Sequence, residues 1–474
     1  MKLNAPNRLL FLGGVLALFS SSCAPAVQSS RSLPSTEELG NPAGGYRLFR
    51  VITHLHSPYS WDACDREGLS SDGTLNSTCS SHLREALCLN RIDFAFLSDH
   101  PDAMQEQEIE DLLLWKEGDV RTGSGAGDRN KLTDCENDFE PQVAAGFEDQ
   151  LMALGMRSHL STDITERTTL YQGESAELAS RLKAEAGALV AIPHTESRSI
   201  DLMDTLNPDL IEVYNLHANI SPQIRQQSLG LAPIEHLGGV LTYLLDPFGE
   251  LNADFFLLHF YEWPQIYFQK WAGLIARGKR VTGIIGSDSH ENTFPQRASD
   301  GERVDSHRRL LRWLSNHVLA TEGTLESLQE ALREGRSWIV AEVLGSPVGF
   351  DFTATRISDG AEVATGSALA LASGGIELHV SRPALHADSP GSESASGDRL
   401  ELSLWRVRAD GTEERIARTQ SGSLSYIAEA AGSYRAEVHV VPTHLKRYLG
   451  EFSALAEKSY PWIVTNPIHL EAAP

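Results

Sequence analysis

The chain is poor in cysteine and in positive charge. Its 474 residues include five cysteines, and no two of them form a CxxC pair. A closed four-thiolate zinc site, which favours such pairs, therefore has little support. Lys and Arg number 40 against 64 Asp and Glu, a formal net charge of −24. That balance argues against nucleic acid as a partner, because a phosphate backbone is held by clustered Lys and Arg. A small anionic substrate stays open, since metal ions reverse the local potential. There is no internal repeat. Hydrophobic residues make up 41% of the chain, ample for a packed core.

The N-terminus has the layout of a secretory signal over residues 1–22. Lys2 and Arg8 precede an apolar run, Leu9 to Phe19, which is too short to cross a membrane as a helix. Three small residues, Ser20 to Ser22, then lead to Cys23. This arrangement resembles a bacterial lipoprotein signal, which implies lipidation of Cys23, a membrane anchor there and an exported, envelope-associated protein. An ordinary cleaved signal is the alternative. Residues 23–45, rich in Ser, Pro and Gly, suit a tether. Cys64, Cys79, Cys88 and Cys135 are even in number and share one region, so an oxidising compartment predicts two disulfides. Three pairings are possible.

Residues 46–345 alternate short apolar runs with helical patterns, at Ser81–Leu89, Glu174–Ala186 and Thr324–Gly335. Such alternation predicts an α/β barrel or a doubly wound sheet. Gly118–Pro141 reads as a polar insertion loop. Asn252–Trp271 is strongly aromatic and reads as a core-covering helix or a lid. From residue 346 to 474 the pattern changes to period two, as in Leu400-Glu-Leu-Ser-Leu-Trp, with a hairpin signal at Asp410-Gly411. This predicts a small antiparallel β-sandwich.

The richest signal is a recurring junction. An apolar run ends, and a metal-type residue comes next. The junctions are His54-Leu-His56, Asp99-His100, Glu148, His194 and Asp288-Ser-His290. Short Val-, Ile- and Phe-rich runs read as buried parallel strands, and in a parallel barrel their C-terminal ends share one face. Asp62 lies six residues after His56. Imidazole with carboxylate suits Zn, Mn or Fe(II).

On these residues, with Gly146-Phe-Glu148, Ile192-Pro-His194 and Ile211-Glu-Val-Tyr-Asn215, the chain resembles the polymerase-and-histidinol-phosphatase (PHP) superfamily of metallohydrolases. The tail Pro461-Trp-Ile-Val-Thr-Asn466 is similar to the CehA/McbA-like branch. The resemblance implies a distorted (β/α)7 barrel followed by the sandwich, with two or three divalent transition metals. It implies a first metal at His54, His56, Glu148 and Asp288. Glu148 would bridge to a second at His159 and His194, and a third would take Asp62, His100 and His290. Asp99 is expected to support a ligand, and His194 or His290 to protonate a leaving group. Arg297, His307 and Arg308 either clamp an anionic substrate or form a solvated patch. His217, His236 and His259 read as packing or surface residues. The implied activity is phosphoester hydrolysis, mono- or diester. Carboxylic ester or carbamate hydrolysis and a non-catalytic metal-binding module are the alternatives.

Overall fold

The computed structural model describes residues 32–123, 128–233, 237–246 and 249–472. The signal segment with Cys23, and His236, lie outside the described residues. No helix among the described residues is long and apolar enough to cross a membrane.

The N-terminal region is a mixed α/β layer structure. Arg47–Ile52 pairs in parallel with Phe94–Phe96, which pairs in parallel with Gln142–Ala144. A five-stranded sheet holds Gly146–Glu148, Met152–Leu154, Leu189–Ile192, Leu210–Asn215 and Thr282–Gly286, the last three parallel. Two isolated bridges stitch the sheets together, Leu55 with Ser289 and Asp99 with Phe147. Apolar residues from both sheets, including Phe49, Val51, Phe94, Phe96, Leu189 and Ile284, share one core with Leu325, Leu328 and Leu332. Those leucines recur at helical spacing on Leu325–Arg333. Thr324 caps this helix, its side chain accepting from the Ser327 N–H.

Three expectations change. Gly118–Pro141 is not a plain loop. It carries a short antiparallel pair, Val120–Thr122 with Arg129–Lys131, added to the sheet edge. The β-region after residue 345, expected as a small antiparallel β-sandwich, is joined to the N-terminal sheet. Tyr460–Thr465 pairs with Ser337–Val340, so one of its sheets continues the N-terminal one into a 13-stranded whole. A second sheet of four strands, including Phe352–Arg356 and Ile376–Val380, shares the core with it. Finally, part of the expected tether is docked. Leu33 and Leu39 are buried, Pro34 O accepts from Arg50, and Leu39 O accepts from the Gly349 N–H.

The aromatic segment covers the core, through a short 3-10 helix, Ala253–His259, and the helix Gln265–Ala276. Phe255, Phe256, Phe260, Tyr261, Tyr267, Phe268 and Trp271 are buried. The disulfides are Cys64–Cys79 and Cys88–Cys135. The second pins the insertion to the helix Ser77–Leu89.

Candidate metal centre

The ligand-type residues sit just past, or at, the C-terminal ends of the parallel strands and of Gly146–Glu148. There the structure gathers His54, His56, Asp62, His100, Glu148, His194, Asp288 and His290. They form three overlapping groups: His56, Asp62, His100 and His290; His54, His194 and Asp288; and His54, His56 and Glu148. Within each group the ligand atoms lie within 4.8 Å of one another.

The five imidazoles share one orientation. Each Nδ1 faces an oxygen: Glu212 Oε1 at 2.6 Å for His54, Ser60 Oγ at 3.2 Å for His56, the Glu148 carbonyl at 2.9 Å for His100, Glu196 Oε1 at 3.2 Å for His194 and the Asp288 carbonyl at 2.8 Å for His290. Carbonyls and carboxylates accept only, so Nδ1 carries a proton against them, and in the neutral ring the lone pair falls on Nε2. Ser60 accepts from His56 in the same sense, because its own hydroxyl donates to Asp62 Oδ1 at 2.9 Å. All five Nε2 atoms turn to the shared space. His54 Nε2 and His56 Nε2 lie 3.1 Å apart, each 3.3 Å from Asp288 Oδ1. His194 Nε2 is 3.4 Å from Asp288 Oδ2 and 3.6 Å from Glu148 Oε1. Nε2 of His290 and of His100 lie 3.3 and 3.6 Å from Asp62 Oδ2.

Converging lone pairs and carboxylates fit divalent cations. The electrostatics agree. Burial disfavours a charged His54, yet Asp288 and Glu212 push its pKa up to about 9. Burial also acts against His100, where Asp62 and Glu148 prevail and raise it to about 10. At His290 burial wins and holds the ring down at about 4. The carboxylates thus create a negative potential that favours positive charge at the centre.

The backbone is bent to make this arrangement. His194 and Asp288 have φ of 50° and 52°, in the left-handed region. For non-glycine residues this costs about 1–3 kcal/mol each and clusters at functional sites. Gly286 is needed for close approach, since a Cβ there would collide with Glu212 Oε1.

His159 is not brought to the centre. Its Nδ1 accepts from the Tyr171 hydroxyl at 2.8 Å, and its Nε2 donates to the Gln107 carbonyl at 2.9 Å. The three candidate clamp residues have other partners. Arg308 is held by Asp254 and Glu302, and His307 is buried with Nδ1 2.9 Å from Ser289 Oγ. Arg297 is exposed and donates to the Gly301 carbonyl at 2.7 Å. His259 packs against Tyr243 and Phe452, as expected. His217 does not stay apart, because it lies against His290 with ring centroids 5.7 Å apart.

Glu212 and Glu196 orient ligand rings, a role that the sequence alone does not assign to them. Glu212 is detectable as a carboxylate inside the apolar strand Leu210–Asn215. Its other oxygen, Oε2, accepts from the His194 N–H at 2.9 Å. Asp99 touches none of the donor atoms. Its carboxylate accepts from the Ser57 N–H at 2.6 Å and hydroxyl at 2.7 Å, which fixes the turn after His56. Burial raises its pKa to about 7. Asp99→Asn should therefore cost about 10–100-fold in activity while metal content stays near that of the parent. Elemental analysis and kinetics on the same sample check this.

A cavity of about 540 Å³ opens beside Asp288 and His290. Its walls include His217, Ile220, Pro222, Phe256, Phe294 and Leu310.

No family model matches the chain, and no curated protein matches it. Among solved structures, it is similar to a two-domain protein from Bacteroides vulgatus containing a predicted PHP-like metal-dependent phosphoesterase. The identity is 12% and the TM-score 0.36, with 92% of this chain and 99% of that one covered. A likeness at that level says nothing of activity, which is read from the side chains of the centre.

Proposed function

We propose that this protein is a metal-dependent hydrolase of the PHP type, built on a distorted seven-stranded barrel, and that it cleaves phosphoesters. The observation that carries this reading is the common orientation of five imidazoles, each with Nδ1 fixed and Nε2 directed at shared carboxylates. Two or three Zn, Mn or Fe ions would be held by His54, His56, Glu148, His194 and Asp288, and by Asp62, His100 and His290. Such ions supply Lewis acidity and a hydrolytic water at neutral pH. The chain fixes their places and keeps the rings in one tautomer. His194 and His290 are committed at both nitrogens, so neither is free as a general acid. His217, which lines the cavity and has a ring nitrogen within 4.8 Å of ligand atoms of Asp288 and His290, would serve either as a further metal ligand or as the group that gives a proton to a leaving group.

Carboxylic ester or carbamate hydrolysis is the second reading, favoured by the cavity. Its lining residues include five apolar side chains and no Lys or Arg. The test is protein purified without chelator, assayed for metal content and against p-nitrophenyl phosphate, bis-p-nitrophenyl phosphate, p-nitrophenyl acetate and an aryl carbamate. Turnover of either phosphate supports the first reading, and turnover of acetate or carbamate alone supports the second. Metal bound without turnover would leave a binding module, and less than one metal per chain would remove the site altogether.

We also propose export with a lipid anchor at Cys23, consistent with the two disulfides. Cys23→Ser should release the protein from the membrane fraction, and unchanged membrane association would refute the anchor.

A further inference from the structure

The cavity beside Asp288 and His290 is walled by segments that follow the strand ends or pack over them. The short helix Leu216–Ile220 starts where the strand Leu210–Asn215 stops. A spacing of three puts His217 and Ile220 on one face of it. Pro222 opens the next helix, Pro222–Gln227. Phe256 comes from the 3-10 helix Ala253–His259, and Leu310 from the helix His307–Leu311. Phe294 lies in the loop after His290. Its ring centroid stands 6.5 Å from that of Phe256, with the planes nearly perpendicular at 84°. The loop is pinned, because Asp305 accepts from the N–H groups of Thr293 and Phe294 at 2.7 and 2.8 Å and from Arg303 Nε at 2.9 Å.

Apolar walls of this kind are costly to leave against water, and an apolar guest removes that cost. The volume of about 540 Å³ is in the range of small-ligand sites. Among the described residues the lining has no Lys or Arg, so an anionic group would lose its water without gaining a counter-charge. The carboxylates of the lining are already engaged, which leaves little to hold a cation. Asp305 takes the three bonds just given. Glu291 Oε1 accepts from the His307 N–H at 3.1 Å, and its Oε2 faces His82 Nδ1 at 3.3 Å. Asp288 belongs to the candidate metal centre.

We propose that this cavity holds a bulky, uncharged apolar group of the substrate. The centre then acts on esters of apolar alcohols or phenols and discriminates against esters whose organic part is charged. The proposal rests on the reading of the centre as hydrolytic, but not on the choice between phosphoryl and carboxylic esters. Phe256 and Phe294, set edge to face, are the residues that determine specificity, since a ring between them would meet both an aromatic face and an aromatic edge.

Two measurements on the full chain, purified without chelator, separate the cavity from the chemistry. Calorimetry compares the binding of p-phenylphenol, phenol and p-hydroxybenzoate. The second ring of p-phenylphenol should tighten binding about tenfold or more over phenol, and the charged p-hydroxybenzoate should bind no better than phenol. Kinetics compares kcat/KM for p-phenylphenyl and phenyl esters, each as phosphate and as acetate. The same preference of about tenfold or more for the larger group is expected in whichever ester is turned over. Phe294→Ala, at a partly buried loop position, should cut both preferences by about threefold or more. If Phe294→Ala fails to fold, Ile220→Ala serves instead, with the same expected loss. The proposal is overturned if p-phenylphenol binds no tighter than phenol, if p-hydroxybenzoate binds tightest, or if the preference ignores the substitution. Preferential binding without turnover of any ester would uphold the cavity's occupant and remove the hydrolytic reading. Turnover without preference for the larger group would do the reverse.

Discussion

Asp288→Asn should remove more than about 100-fold of the hydrolytic rate, beyond the ~10–100-fold typical of groups that only orient a ligand. Metal content should fall with it. Among the described residues, Asp288 is the one carboxylate within 3.4 Å of His54, His56, His194 and His290 alike. An amide in its place keeps the shape, removes the charge and presents an N–H where a lone pair is needed. His56→Ala should act in the same direction. The fold should survive both changes, since the shared core beneath the strand ends involves neither residue. Kinetics, elemental analysis and circular dichroism on the same samples decide the matter. Near-parental turnover with full metal loading in Asp288→Asn would show the proposed centre to be wrong.

The largest effect on stability is expected away from the centre, at Glu342. Its side chain is fully buried and accepts from Arg50 Nε at 2.8 Å, His317 Nε2 at 2.7 Å, Ser315 Oγ at 3.2 Å and Ser346 Oγ at 2.6 Å. Arg50, equally buried, also donates to the Pro34 and Arg91 carbonyls. Glu342→Ala leaves that guanidinium without its counter-charge, which costs about 3–5 kcal/mol when one partner of a buried pair is removed. Glu342→Gln should lie between the two, because it keeps the volume and loses the charge. Urea denaturation followed by far-UV circular dichroism checks this. A shift below about 1 kcal/mol for Glu342→Ala, the size of an exposed pair's contribution, would show that the network adds little.

Much of the centre is legible in the sequence because strand ends are local. An apolar run that stops at His or Asp states both the element and the position of its functional residue. That logic finds His54, His56, Glu148, His194, Asp288 and His290. It fails where the signal is not local. Arg-Ser-His159 does not follow directly on an apolar run, since it stands five residues past the strand Met152–Leu154, and nothing in the chain announces that Tyr171 and Gln107 take both ring nitrogens. Arg308 looks free in the sequence because one of its two carboxylate partners, Asp254, lies 54 residues away, and the nearer one, Glu302, stands in no helical or strand spacing to it. Glu212 sits inside a recognisable strand, but its role depends on a crossover that brings it under His54. The join of the C-terminal strands to the N-terminal sheet is likewise invisible, since antiparallel pairing of residues 337–340 with 460–465 leaves no trace in either segment alone.

With the lipid anchor proposed at Cys23, the docked segment from Leu33 to Leu39 would limit how far the protein stands from a membrane. Ser32 is nine residues on from Cys23. Even fully extended, that stretch reaches only about 30 Å. An acylated Cys23 would therefore give a short leash, comparable to the width of one small domain. The leash attaches beside Leu89 and Asp93, at the start of the strand Phe94–Phe96, whereas His100 lies beyond its far end. A lipid-held molecule would thus carry its candidate metal centre at the end of that strand away from the leash.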